Sequence, residues 1–244
     1  MRYDSIQMGN GYYQKGEQRA AKVNDLFSRI ASRYDLINDV QSAGLHRLWK
    51  RRLVRMAALK PGQKALDVCC GTGDVTMALA GSGANVAGLD FNARMLDVAR
   101  ARVAGGGSRN IDYLQGDALQ IPFEESTFDA VTVSYGLRNL SDFERGIAEL
   151  HRVAKPGGRI LILDFGKPAN KTWRWLYYAY LRCMVPVFGR IFCGDAAAYA
   201  YILESLQVYP AQEGVATVLR TLNCRNVRIY PLLGGAMSIN YAEK

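Results

Sequence analysis

LDVCCGTGDVT, residues Leu66 to Thr76, is the stretch that decides how this chain reads. A short apolar segment runs through two glycines into a helical pattern that begins near Asp74. Without a Cβ, Gly71 and Gly73 let the backbone turn sharply and let a ligand come close to it. The helix that follows points its free N–H groups and positive dipole end back at that turn. Strand, glycine turn and helix in this order form a common seat for a nucleotide-like cofactor. The third glycine of G-x-G-x-x-G is Thr76 here, which weighs against a dinucleotide. An ordinary βα turn stays open on this stretch alone, so the signals around it have to decide.

Downstream, the pattern alternates. Strands are expected at Ala65–Cys69, Asn85–Asp90, Ile111–Gln115, Ala130–Ser134 and Arg159–Asp164, and helices at Asp74–Ala80, Ala93–Val103 and Asp142–Ala154. Such alternation argues for a parallel sheet covered on both faces. Lys155-Pro156-Gly157-Gly158 should end a helix and turn the chain into the next strand. Gly105-Gly106-Gly107 reads as a flexible connection, because no strand leads into it. Two last strands, near Val227–Leu232 and Ala236–Tyr241, are joined by Leu233-Gly234-Gly235, a hairpin signal. Upstream, residues 1 to about 20 read as a polar arm, followed by helices at Asn24–Tyr34 and Leu45–Ala58. The division expected is an arm with cap helices over 1–60 and a cofactor-binding domain over 61–244, with a helical insertion at about 170–206.

The 244 residues, 49% hydrophobic and 22% charged, can bury a sizeable core. The net charge of +9 is partly local, carried by Arg47, Lys50, Arg51, Arg52 and Arg55. That cluster suits a solvated helix face or an anionic membrane surface. Nucleic acid ranks lower, since no reader motif accompanies it. The five cysteines, Cys69, Cys70, Cys183, Cys193 and Cys224, fit neither a C-x-x-C metal pair nor a disulfide framework, so no metal is expected and a reducing cytoplasm is the simplest setting. The region Trp173 to Phe192 is broken by Arg174, Arg182, Pro186 and Arg190, which rules out a spanning helix there.

In a doubly wound sheet, ligands sit at the carboxyl ends of the strands near the switch point. Asp90 closes the second strand about twenty residues after the glycine turn, the spacing of ribose-binding carboxylates. Asp117 closes the third and could accept from an adenine amino group; Ser134 ends the fourth. Each alone also suits a solvated loop or a cap. Three in register behind one glycine turn make a site.

LDVCCGTGD, GLDFN, QGDALQIPF, FDAVTVSYGLRN and VAKPGGRILILDF resemble the ordered motifs of class I S-adenosylmethionine-dependent methyltransferases. SRIASRYDLIND, the GLRN tetrad and YILESLQVYP narrow the resemblance to the C-methyltransferases of menaquinone and ubiquinone biosynthesis. The resemblance covers nearly the whole chain from about Lys22; the ending GGAMSINYAEK keeps the family's glycine pair but not its basic, histidine-containing finish. It implies a Rossmann-like sheet of seven strands with an antiparallel last strand, matching the terminal hairpin. It also implies S-adenosylmethionine as cofactor, seated by the loop glycines Gly71 and Gly73 and contacted by Thr72, Asp90, Asp117, Ala118 and Ser134.

The reaction the resemblance implies is methyl transfer to a ring carbon of a polyprenyl quinol, demethylmenaquinol first and a methoxy-benzoquinol as the alternative. The ring must be reduced, because a quinol or its phenolate pushes electron density onto the ortho carbon. Arg138 cannot be the base, since guanidinium keeps its proton. It can stabilise the phenolate or hold a water, unless it serves only in a structural ion pair, while Tyr34 and Asn139 could position the ring hydroxyls. His46 and His151 suit surface or capping roles. The aromatic segment after Trp173 reads as a cap helix that could line an entry for the polyprenyl tail and rest on the inner face of a membrane. No motif specifies an oligomeric state; a homodimer is compatible with the sequence. A non-catalytic scaffold would be favoured by loss of the glycine turn or Asp90, and both are present.

Overall fold

The computed structural model describes residues 17–105, 110–193, 206 and 209–244. The arm as far as residue 16, the glycine run beyond Gly105 and most of YILESLQVYP lie outside the described residues. Five strands run parallel: β1 (Lys64–Val68), β2 (Asn85–Asp90), β3 (Ile111–Gln115), β4 (Phe128–Ser134) and β5 (Ala154–Phe165). A closing hairpin of β6 (Arg225–Leu232) and β7 (Met237–Glu243) adds to that sheet, with β7 antiparallel to both β5 and β6. The order β3-β2-β1-β4-β5-β7-β6 is the expected seven-stranded Rossmann-like sheet, and it reverses direction between β1 and β4. That switch point is where the glycine turn lies.

Alternation along the central strands builds two apolar layers. In β5, Ile160 and Ile162 face one cluster with Leu66, Val131, Ile147 and Leu219, whereas Leu161 and Leu163 face the other with Leu53, Leu79 and Ile239. Burial on both faces is what a strand reading ILIL demands. Removing one such side chain costs about 2–5 kcal/mol. The first layer is covered by α6 (Phe143–Val153) and α8 (Ala211–Thr221), and the second by α3 (Leu45–Ala57) and α4 (Asp74–Ala80). A third cluster stands off the sheet. Leu26 and Ile30 of α1 (Glu17–Ile30), Ile37 of α2 (Tyr34–Ser42), and Tyr177 and Leu181 of α7 (Lys171–Cys193) meet there with Leu206 and Ala236.

Four details differ from the sequence expectation. Helix α1 begins at Glu17, inside the segment read as arm, and stops at Ile30. A 3-10 turn over Ala31–Arg33 then redirects the chain into α2, which the sequence reading left as a link. The Lys155–Gly158 stretch does not leave the sheet. It forms a bulge within β5, where pairing slips between Phe128↔Ala154 and Ala130↔Arg159 and Gly157 takes φ 76°. Helix α8 was not expected, although Pro210 opens it and Val215, Ala216 and Leu219 give it a buried face.

Candidate active site

The site grows from the glycine turn. Beneath it, Asp67 on β1 is buried and accepts from the hydroxyls of Thr76 (2.7 Å) and Thr132 (2.8 Å). Thr76, standing where a dinucleotide fold needs glycine, therefore ties α4 to β1. Burial pushes the Asp67 carboxyl up to about 6, against the pull of those two donors. Above it the backbone enters the left-handed region at Cys69 (φ 55°), Gly71 (φ 56°) and Gly73 (φ 83°). At Gly73 a side chain would also collide with the Tyr113 hydroxyl, so the turn requires glycine there twice over.

Asp90, at the end of β2, faces this turn. One carboxylate oxygen accepts from Gly71 N–H and the other from Asn92 N–H, both at 2.8 Å. Burial raises its pKa, opposed by those backbone donors. Asn92 caps α5 (Ala93–Ala104) by accepting from Met95 N–H (2.9 Å), and its amide donates to Asn24 and Ser28 on α1. The same turn that orients Asp90 thus fastens the first lid helix.

These groups surround a cavity of about 160 Å³ at the carboxyl ends of β1, β2, β3 and β4, lined by Gly71, Asp90, Asp117, Ala118, Ser134 and Asn139 among others. The Ser134 hydroxyl and the Asn139 carbonyl oxygen are buried there with no hydrogen-bond partner among the described residues. A pinned carboxylate beside unsatisfied polar atoms fits the hydroxyls and edge of a nucleoside. Asp117 is exposed at the rim and accepts from Leu119 N–H (2.8 Å). Thr72 and Gly73 do not line this cavity. The Thr72 hydroxyl donates instead to Asp35 on α2 (2.8 Å). Arg102 then joins Asp35 (3.0 Å), the Thr72 carbonyl (2.9 Å) and Asp74 (2.6 Å), and Lys50 on α3 completes the joint on Asp74 (2.9 Å).

A second cavity, about 510 Å³, lies beyond Phe27, Tyr34 and Tyr135, which line both. Its walls are mostly apolar, from α1, α2, α3, α7 and the β6–β7 turn. Arg138 lines it. Its Nη1 donates to Asp164 (3.0 Å) and to the Tyr135 carbonyl (2.6 Å), and its guanidinium lies 4.5 Å from the Phe165 ring centre. The ion pair that the sequence reading left open is present, and the same residue lines the cavity. Tyr34 stands with its ring over Gly71, and burial raises its pKa despite the neighbouring Asn38 and Arg138. The hydroxyls of Tyr135 and Tyr177 are buried in this cavity without a partner among the described residues.

His46 corrects the sequence reading. It is 3% exposed and lines the large cavity, whereas a surface or capping role was expected. It stands in the first turn of α3 among basic residues, and nothing in that local sequence signals that α2 and α7 close over it. The cationic cluster is also partly spent within the fold: Arg47 binds Asp39 (2.6 Å), Lys50 binds Asp74, and Arg52 lies over the Tyr230 ring (5.5 Å), leaving Arg51 and Arg55 exposed.

A solved S-adenosylmethionine-dependent methyltransferase from Aquifex aeolicus is similar to this chain at TM-score 0.58 and 22% identity, over 80% of this chain and 88% of that one. The [4+2]-cyclase SpnF is similar at TM-score 0.53 and 22% identity, over 83% and 82%. Likenesses at that level show the fold alone, and a cyclase among them shows why. Sequence relatives are nearer. The demethylmenaquinone methyltransferase of Desulfitobacterium hafniense (strain Y51) is 39% identical over 94% of this chain and 92% of its own length. That of Bacillus cytotoxicus is 35% identical over 93% and 98%. The family model described as the ubiE/COQ5 methyltransferase family matches residues 14–244, and the chain belongs to that family.

Proposed function

We propose that this methyltransferase moves a methyl group from S-adenosylmethionine to a ring carbon of a prenylated quinol, converting demethylmenaquinol to menaquinol. The observation that carries the reading is the pair of cavities, one small and polar at the strand ends, one large and apolar, with Tyr34 and Tyr135 in both walls. In it Asp90 receives the ribose hydroxyls, Asp117 and Ala118 border the purine, and the Gly71 turn, shaped by Thr72 and Gly73, leaves Ser134 and Asn139 facing the donor. S-adenosylmethionine, when bound, supplies an electrophilic methyl group.

The rest falls to this chain's own residues. Tyr34 and Asn139 orient the ring hydroxyls at the shared wall. Arg138, fixed by Asp164, presents a permanent positive charge to the oxygen on which charge develops. The mostly apolar walls strengthen that attraction. Orientation alone can contribute about 7–11 kcal/mol.

The apolar tail leaves by a mouth whose rim is itself apolar. Val40, Leu176, Tyr180, Met184 and Leu233 line the cavity and are all exposed, and Trp175 is 66% exposed beside them. Among the described residues no helix is long and apolar enough to cross a membrane. The rim supports peripheral contact, and Arg51 and Arg55, exposed on α3, would contribute about 1 kcal/mol each where anionic lipid reaches them. Sedimentation with anionic vesicles should weaken in salt and in Arg51→Glu/Arg55→Glu. Indifference to both would remove charge from the account.

The reaction itself is tested by incubating the protein with S-adenosylmethionine and chemically reduced demethylmenaquinone, then measuring menaquinone by mass spectrometry. Product only from the reduced ring is expected. Failure to methylate it, with methylation of a benzoquinol instead, would overturn the substrate assignment.

A further inference from the structure

His46 sits at the first turn of α3, at the same end of the sheet as the glycine turn, and is buried in the wall of the large cavity. Its Nδ1 is 2.8 Å from the Ser42 hydroxyl. That hydroxyl has one proton, and the Asn38 carbonyl takes it at 2.7 Å. Ser42 Oγ also accepts from the His46 backbone N–H at 3.2 Å. With its own proton committed, Ser42 Oγ can only accept from the ring, so Nδ1 carries the imidazole hydrogen. Nε2 is then a bare lone pair, buried and without a partner among the described residues.

We propose that His46 Nε2 is the general base that takes the proton from a ring hydroxyl of the quinol. The proposal rests on the reading of the large cavity as the quinol site. The protons balance as follows. The quinol O–H bond breaks and Nε2 gains that proton. The ring carbon, now flanking a phenolate, forms its bond to the methyl group as the carbon–sulfur bond breaks. The methylated carbon then releases its own hydrogen to water, restoring the aromatic ring as a phenolate. His46 returns its proton to that oxygen, so one proton leaves the site per methyl transferred. Asp39 Oδ1, 3.8 Å from Nδ1, faces the imidazolium while it is charged.

The surrounding charges permit this cycle. Asp39 on α2 and Asp74 on α4 face the ring, and Arg47 and Lys50 on its own helix are each paired with one of them. Burial therefore dominates, and it lowers the His46 pKa below its ordinary value. The ring is neutral at neutral pH and able to accept.

The chain has two histidines, so in His151→Gln the imidazole ¹⁵N spectrum reports His46 alone. We expect the Nδ1–H tautomer, and a shift of Nε2 when a short-chain demethylnaphthoquinol is added with S-adenosylhomocysteine. An Nε2–H tautomer would overturn the proposal in the folded, unaltered site. In His46→Gln, turnover should fall by about 10²–10⁴-fold and the acid limb of the kcat/KM profile should vanish, with calorimetric S-adenosylhomocysteine affinity unchanged. Turnover within threefold of the parent would also overturn it. A parent protein that methylates no demethylmenaquinol sinks the quinol reading itself, a result distinct from either.

Discussion

The two cavities are built in opposite ways. The polar one is built on the sheet: strand ends locked in register, a glycine turn held by the Asp90 carboxylate, and the Asn92 cap of α5. The apolar one is roofed by helices α1, α2 and α7, whose cluster stands apart from the sheet. On the proposed reading, the site for the polar donor rests on the sheet, and the site for the long apolar substrate rests on helices packed over it.

Arg138 joins the two regions, and its removal should do the most damage. Arg138→Ala strands the buried Asp164 and should cost about 3–5 kcal/mol in urea unfolding, most of it recovered in Arg138→Ala/Asp164→Asn. Turnover in Arg138→Lys should still fall on the order of a hundredfold, and normal turnover there would make Arg138 structural only. Next, Ile162→Ala and Ile37→Ala delete the same side chain from the two regions. The first should cost about 2–5 kcal/mol globally, while the second should raise KM for the quinol with a smaller loss of Tm. Equal losses of Tm would show one cooperative body.

Asp90→Ala removes an acceptor from two backbone N–H groups and, on the proposed reading, from the ribose. Affinity for S-adenosylhomocysteine should fall by about 3 kcal/mol, roughly a hundredfold, with quinol-analogue binding unchanged. Asp67 gives a pH test beneath the same turn. Its folded pKa of about 6 lies above the ordinary 3.8, so its contribution is full below pH 4 and is lost as pH rises through 6. Measured against Asp67→Asn, the parent should lose stability across that interval, by on the order of 3 kcal/mol. A flat difference would place the carboxylate in contact with water. The smallest effect is expected at Tyr135→Phe, where a hydroxyl with no partner among the described residues leaves the ligand-free protein no less stable while quinol affinity drops by about 1 kcal/mol.

Legibility followed the same division. Short apolar runs and glycine spacing are local, so β1 to β5, the terminal hairpin and the Asp90 position could be read from the chain. The lid is tertiary. Nothing adjacent to Thr72 shows that its hydroxyl belongs to Asp35, thirty-seven residues away. Helix α2 escaped because Ile37 is its one buried residue, whereas α8 has a buried face of Ala211, Val215, Ala216 and Leu219 that the sequence reading passed over. The Lys155–Gly158 bulge carries the residues of a turn, and only pairing with β4 and with Lys244 keeps it in the sheet.

Between the two cavities stand Phe27, Tyr34 and Tyr135, a partition of side chains. Side chains, not backbone, separate the two cavities here, so a bridging inhibitor has only side chains to displace. A nucleoside joined by a short linker to an apolar aromatic group would hold one end in each cavity. Its second contact would then be made at an effective concentration in the millimolar range, which can add about 10²–10⁴ to affinity over either half alone. The best linker is the one that takes the place of the Tyr34 ring over Gly71.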